Sequence, residues 1–130
     1  MKVIIVGGVA GGATAAARLR RLDETAEIVV FERSGYVSYA NCGLPYYTGG
    51  VITDKEERTL QTPESFWRRF RVVLRVRHEV TAIHPAEKTV DVRNLATGET
   101  FTESYDKLVL SPGARPTQPA LPGVGIARQF

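Results

Sequence analysis

Six residues, Gly7-Gly8-Val9-Ala10-Gly11-Gly12, stand between a short apolar run, Val3 to Val6, and a stretch of helical spacing. Glycines placed there let a strand turn sharply into a helix and let backbone amides approach a phosphate group at the helix N-terminus. The pattern matches the dinucleotide fingerprint G-x-G-x-x-G, with Val9 in place of its middle glycine. Gly7 serves the tight turn and Gly12 the close approach of the helix; a purely structural glycine turn fits the same residues. Glu32 lies 20 residues after Gly12, at the end of a second apolar run, Ile28 to Phe31. An acid at that point can accept hydrogen bonds from an adenosine ribose, and it favours a free 2′-hydroxyl, hence FAD or NAD over NADP. The plain alternative is a surface glutamate.

Cys42 is the third chemical candidate, in Ser38-Tyr39-Ala40-Asn41-Cys42-Gly43-Leu44-Pro45-Tyr46. A lone cysteine is commonly a small buried apolar residue. This one stands in a polar, glycine-bearing loop at a predicted helix start, where thiol pKa values fall and the reactive thiolate is favoured. Thr14, Arg18 and Arg21 are spaced four and then three apart, so they share one helix face. Paired arginines suit phosphate groups; a solvated basic face is the alternative.

The elements that must position these residues follow from pattern. Val3 to Val6 and Ile28 to Phe31 read as buried parallel strands. Between them Gly12, Ala15, Ala16, Leu19 and Leu22 form an apolar helical stripe. The result is a βαβ unit with a right-handed crossover. Ser34 to Gly50 reads as a functional loop entering a short helix near Pro45. Thr62-Pro63-Glu64 marks a helix start, with Thr62 as N-cap and Pro63 in first position, running through Phe66, Trp67 and Phe70. Val72 to Val76 is a third strand. Glu79 to Ile83, Thr89 to Leu95 and Thr100 to Tyr105, separated by turn signals, predict an antiparallel meander. Lys107 to Leu110 is a final buried strand, and Pro116, Pro119 and Pro122 mark an extended linker. The fold class is α/β, a Rossmann-like unit with parallel strands plus a three-stranded antiparallel meander. Residues 1–115 form the nucleotide-binding part and 116–130 the linker. Because a parallel sheet wants several βαβ units, the stop just past the linker reads as truncation of a longer protein.

Composition narrows the class. The chain has 130 residues, 43% apolar and 24% charged, with net charge +3, an ordinary balance for one soluble domain. That charge is too mild to indicate a nucleic-acid protein. Arginine accounts for 13 of the 17 basic residues, which suits a phosphate-bearing partner. One cysteine excludes an intrachain disulfide and points to a reducing cytoplasm. Lys2, the apolar run and Ala15-Ala16-Ala17 mimic a signal peptide, but Gly7, Gly8, Gly11 and Gly12 break the run. No run approaches the ~18 apolar residues of a membrane span. The residues suggest no metal site.

The fingerprint, Glu32, the Ser38–Tyr46 segment and Tyr105-Asp106-Lys107-Leu108-Val109-Leu110-Ser111-Pro112-Gly113-Ala114 occur in an order that resembles the single-cysteine branch of the pyridine nucleotide–disulfide oxidoreductases. Within it the likeness is to coenzyme A–disulfide reductases and NADH-dependent persulfide or polysulfide reductases. It runs over essentially the whole chain. Ser111-Pro112-Gly113 replaces the family's commoner Ala-Thr-Gly, whereas Val9 is shared by members of this branch. The resemblance implies that Gly7, Gly8, Val9, Ala10, Gly11 and Gly12 hold the FAD pyrophosphate and that Glu32, with Arg33 beside it, binds the ribose. It implies that Val80 packs near the adenine, that Asn41 and Cys42 face the flavin ring, and that Ser111, Pro112 and Gly113 pass the cofactor's middle. It further implies that Thr14, Arg18, Arg21, Ser38 and Asn41 contact a coenzyme A substrate.

In such enzymes NAD(P)H reduces FAD, which in turn reduces a disulfide between the cysteine and a substrate thiol. A C-x-x-x-x-C pair is absent here, which excludes an internal redox disulfide. The family adds an NAD(P)H domain, a later segment closing the FAD site and a C-terminal domain that makes a homodimer. A second reading keeps the fold and makes Cys42 the sulfenic acid of an NADH oxidase or peroxidase. A third is a nucleotide-binding module without turnover.

Overall fold

The computed structural model describes residues 1–39, 44–51, 59–115, 117 and 120. Its framework is a four-stranded parallel sheet ordered β5-β2-β1-β9, made by β1 (Lys2–Val6), β2 (Glu27–Glu32), β5 (Val73–Val76) and β9 (Lys107–Leu110). Helices α1 (Ala10–Leu22) and α3 (Pro63–Phe70) accompany it, with a short α2 (Leu44–Thr48) carrying Pro45 in its first turn. A three-stranded antiparallel sheet, β6 (His78–His84), β7 (Thr89–Asn94) and β8 (Thr100–Ser104), is the predicted meander.

The strands alternate their side chains between two cores, as period-two geometry requires. Val3 and Ile5 of β1 and Ile28 and Val30 of β2 pack with Ala13 and Ala16 of α1, Phe66 of α3 and Leu74 of β5. Ile4, Val29 and Phe31 point the other way, against Val90 and Val92 of the meander. Each fully buried side chain of this size contributes about 1.5–3 kcal/mol. The parallel sheet is thus covered by helices on one face and by the meander on the other. This explains why β1 and β2 read as unbroken apolar runs.

Local chemistry sets the element ends. Thr62 caps α3, accepting the Ser65 amide, while Ser65 answers with its side chain in a capping box; Pro63 is in first position as predicted. Arg71 ends that helix in the left-handed region, its N–H donating to Trp67 O at 2.8 Å. Asp23 follows α1 and accepts the Thr25 and Ala26 amides at 2.9 and 3.0 Å, turning the chain into β2. Arg20 then fastens the two helix ends together. Its guanidinium donates to the carbonyls of Asp23, Glu24, Phe70 and Arg71 at 2.7–3.2 Å.

Three expectations are corrected. Leu22 is 69% exposed and is not part of the buried stripe of α1; Ala13 is. Leu22 comes six residues after Ala16, the centre of the buried arc, and so sits about 120° around the helix from it. β9 is half-buried and half-exposed, with Leu110 58% exposed, because among the described residues it pairs with β1 alone. The Ser34–Gly50 region is not all loop before its helix: β3 (Val37–Tyr39) pairs antiparallel with β4 (Thr59–Gln61). The linker prolines 116, 119 and 122 lie outside the described residues.

Candidate nucleotide-binding site

In the order β5-β2-β1-β9 the chain leaves β1 toward β2 on one side and returns to β1 through β9 on the other. The switch point therefore lies between β1 and β9, and ligands of open parallel sheets bind outside the carboxyl ends of the strands at such points. There the Gly7 turn and the Ser111 segment meet back to back. A methyl group on Gly7, which has φ +98°, would lie 2.0 Å from the Ser111 carbonyl oxygen. A methyl on Gly12 would lie 1.7 Å from the Gly7 carbonyl oxygen, so the helix can start this close to the turn only with glycine there. The two glycines do what the fingerprint reading asked of them.

A cavity of about 430 Å³ opens beside this junction. It brings together Gly7 from the turn, Glu32 at the end of β2 with Arg33 after it, Val80 of the meander, and Pro112 and Gly113 after β9. Glu32 is 8% exposed, and both its oxygens are engaged: Oε2 accepts the Gly8 amide at 2.6 Å and Oε1 the Ser34 amide at 2.8 Å. Arg33 is paired with Glu79 at 3.6 Å.

The amides of the turn divide into two sets. Gly7 N–H donates to Phe31 O at 2.8 Å and Gly8 N–H to Glu32, so both are already bound within the protein. Val9 is the N-cap of α1, with no side-chain cap, and no acidic residue occupies the first turn. This contrasts with α3, which carries both. A helix start without a side-chain acceptor leaves first-turn amides available to an anion, and the dipole favours one. Val9, Ala10 and Gly11 therefore fit the expected diphosphate cradle. Gly7, Gly8 and Gly12 shape it. The cavity and the carboxylate beside it fit an adenosine diphosphate moiety, the part of FAD that the fingerprint concerns.

The remaining candidates fall elsewhere. Thr14, Arg18 and Arg21 are all exposed on α1, on the side away from its buried arc, and do not line the cavity. Ser111 stands against Gly11: a methyl there would lie 2.4 Å from Ser111 Oγ. Ser38 is placed by its backbone in β3. Asn41 and Cys42 lie outside the described residues.

Sequence reasoning missed several cavity residues. Phe31, Ser34, His78, Glu79, Ala114 and Arg115 also line it. Four of these adjoin residues that were named (Phe31 before Glu32, Ser34 after Arg33, Glu79 before Val80, Ala114 after Gly113), so sequence adjacency was the available signal. His78 donates through Nδ1 to Val76 O, 2.8 Å away, and lies among Phe31 and Phe101. Among the described residues no group of three or more His, Cys, Asp or Glu could hold a metal ion, and no helix is long and apolar enough to cross a membrane.

The comparisons with known proteins agree with this geometry. A family model described as pyridine nucleotide-disulphide oxidoreductase matches residues 1–130. Coenzyme A disulfide reductase of Staphylococcus aureus (strain JH9) is 49% identical over 113 residues, covering 87% of this chain and 26% of that protein. Among solved structures, reduced Bacillus anthracis CoADR-RHD aligns with TM-score 0.92 at 53% identity, over 98% of this chain and 23% of the other. A NAD-dependent persulfide reductase from A. fulgidus aligns with TM-score 0.90 at 35% identity, over 95% of this chain and 23% of the other. The chain spans about a quarter of the length of the curated relatives it matches, 26%.

Proposed function

The chain belongs to the pyridine nucleotide-disulphide oxidoreductase family, and from that premise we propose that it is the FAD-binding, cysteine-bearing N-terminal part of an NAD(P)H-dependent reductase of coenzyme A disulfide or of persulfides and polysulfides. The observation that carries the reading is the cavity at the strand switch point. There a buried glutamate and the Pro112-Gly113 segment converge with Gly7, two residues before the uncapped start of α1. The relatives add the substrate class, since proteins 49% and 35% identical are named for coenzyme A disulfide and persulfide reduction.

Bound FAD supplies a two-electron relay from NAD(P)H to sulfur. This chain's residues do the holding. The Val9–Gly11 amides would donate hydrogen bonds to a diphosphate at the helix start, and Glu32 would offer its remaining lone pairs to ribose hydroxyls. The Phe31 and Val80 side bounds the adenosine end. Cys42 acts as the nucleophile: its thiolate attacks one sulfur of the substrate, the S–S bond breaks, a mixed disulfide forms and the other half leaves as a thiolate. Arg18 and Arg21, turned outward from the sheet, meet the phosphates of coenzyme A, with Thr14, Ser38 and Asn41 as further contacts. The parent works in the cytoplasm as a homodimer.

The test uses the full-length parent. Cys42→Ser keeps its flavin absorbance and loses coenzyme A disulfide reduction. Replacing Arg18 and Arg21 by Ala removes two charge-assisted contacts, one of which alone is worth about 1.5–3 kcal/mol, and raises KM for coenzyme A substrates roughly tenfold or more. Small persulfides lacking the nucleotide are turned over almost as before. Full activity of Cys42→Ser, or preferred turnover of oxygen or peroxide by the wild type, overturns the reading.

A further inference from the structure

We infer that Glu32 is a positioning residue as well as a ribose acceptor: through Gly8 and Ser34 it holds the glycine turn in its nucleotide-receiving shape independently of the nucleotide. Two amides from opposite sides of the site end on one carboxylate. Gly8 belongs to the turn after β1, and Ser34 to the segment after β2. The 2.6 Å bond from Gly8 follows directly on the bond from Gly7 N–H to Phe31 O, so two consecutive amides of the turn are stitched to β2. The stem of the glutamate also touches the turn, since a methyl on Gly8 would lie 3.1 Å from Glu32 Cβ.

The turn has no side chain of its own to do this work. Val9 cannot cap, and the neighbouring residues are glycine and alanine. Without Glu32 the Gly8 amide would be left beside a mostly buried side chain with no partner, which a folded chain avoids by moving. A carboxylate has about four lone-pair positions. Two are taken by the amides, which leaves one on each oxygen for the ribose. Both roles can therefore be filled at once. Glutamine has a single acceptor oxygen and keeps only one of the two amide bonds. Aspartate is a methylene too short to reach both.

The inference rests on the FAD reading for what the turn receives; the two bonds belong to the polypeptide alone. In the full-length parent freed of flavin, Glu32→Gln is expected to speed hydrogen exchange of the Gly8 or Ser34 amide at least tenfold, leaving Ile5 and Val30 unchanged. Unchanged exchange at both Gly8 and Ser34 overturns the inference. Affinity gives a second, independent reading, using FAD and its analogue lacking both adenosine ribose hydroxyls. If Glu32 acts on the ribose alone, wild type and Glu32→Gln bind the analogue equally, and the inference fails. If Glu32 also organises the turn, the variant binds the analogue at least fivefold more weakly. This comparison decides the matter should the flavin-free variant not stay folded. A wild type that cannot tell FAD from the analogue refutes the ribose contact only, and the exchange result still decides on the turn.

Discussion

Gly12→Ala is the sharpest perturbation the site allows. The added methyl carbon would stand 1.7 Å from the Gly7 carbonyl oxygen and 2.9 Å from its carbon, with Ile5 Cγ2 at 3.2 Å. A carbon and a carbonyl oxygen rest at about 3.3 Å or more, so helix and turn must part by roughly 1.6 Å. Both clashing groups are backbone, and no rotamer change relieves them. Overpacking of a tight site costs about 1–3 kcal/mol, and a clash between two backbone segments belongs at the upper end. About 3 kcal/mol charged to the nucleotide-competent form lowers affinity roughly a hundredfold. The assay is FAD titration of the flavin-free parent by fluorescence, with the thermal midpoint alongside. Gly35→Ala is the control, since a methyl there meets only the Arg77 side chain, 3.6 Å away. A Gly12→Ala parent that binds FAD within threefold of wild type, with the same midpoint, refutes the argument.

Other changes test other contacts. Gly11→Ala meets Ser111 Oγ at 2.4 Å but Ser111 Cβ only at 3.6 Å; its loss of flavin affinity should be largely restored by adding Ser111→Ala, and a double variant no better than the single one contradicts the contact. Arg20→Ala removes donors to four carbonyls at the joined helix ends and should cost about 2 kcal/mol in chemical denaturation, against less than about 0.5 kcal/mol for exposed Arg18→Ala. His84 is held above its usual 6.5 by its hydrogen bond to Asp91, and Asp91 below 3.8 by its bonds from His84 and Thr102. A raised histidine stabilises fully below its unfolded value and loses that effect as pH rises through its folded one. The midpoint difference between wild type and His84→Gln should therefore be larger near about pH 6 than near about pH 8.5, and a pH-independent difference counts against the pair.

The sequence was most legible where structure is decided locally. Thr62 and Pro63 announce α3 because capping needs only the residues on either side. The meander is legible because each strand alternates and each turn carries its own signal. Fingerprint glycines and Glu32 were recognisable by spacing. What escaped depends on partners distant in sequence. β3 and β4 have three residues each and meet across some twenty positions, with no period to betray them. Arg18, Arg20 and Arg21 look alike in the sequence. Yet Arg20 turns toward the arc centred on Ala16 and finds the carbonyls of α3, while its neighbours face outward. Nor does spacing reveal that Gly8 and Ser34 already occupy the carboxylate expected to read a ribose.

The pairing of β1 with β9 also sets a timetable for folding. Val3 is opposite Lys107 and Val6 opposite Leu110, so β1 and its partner are synthesised about a hundred residues apart. At roughly 5–20 residues per second, β1 waits on the order of 5–20 s for that neighbour. Over that interval one edge of an apolar strand has unpaired amides and carbonyls, the template on which strands of different chains join. Slowing translation between β2 and β9 should therefore lower soluble yield without altering the stability of molecules that do fold. Folding helpers that cover strand edges should restore it.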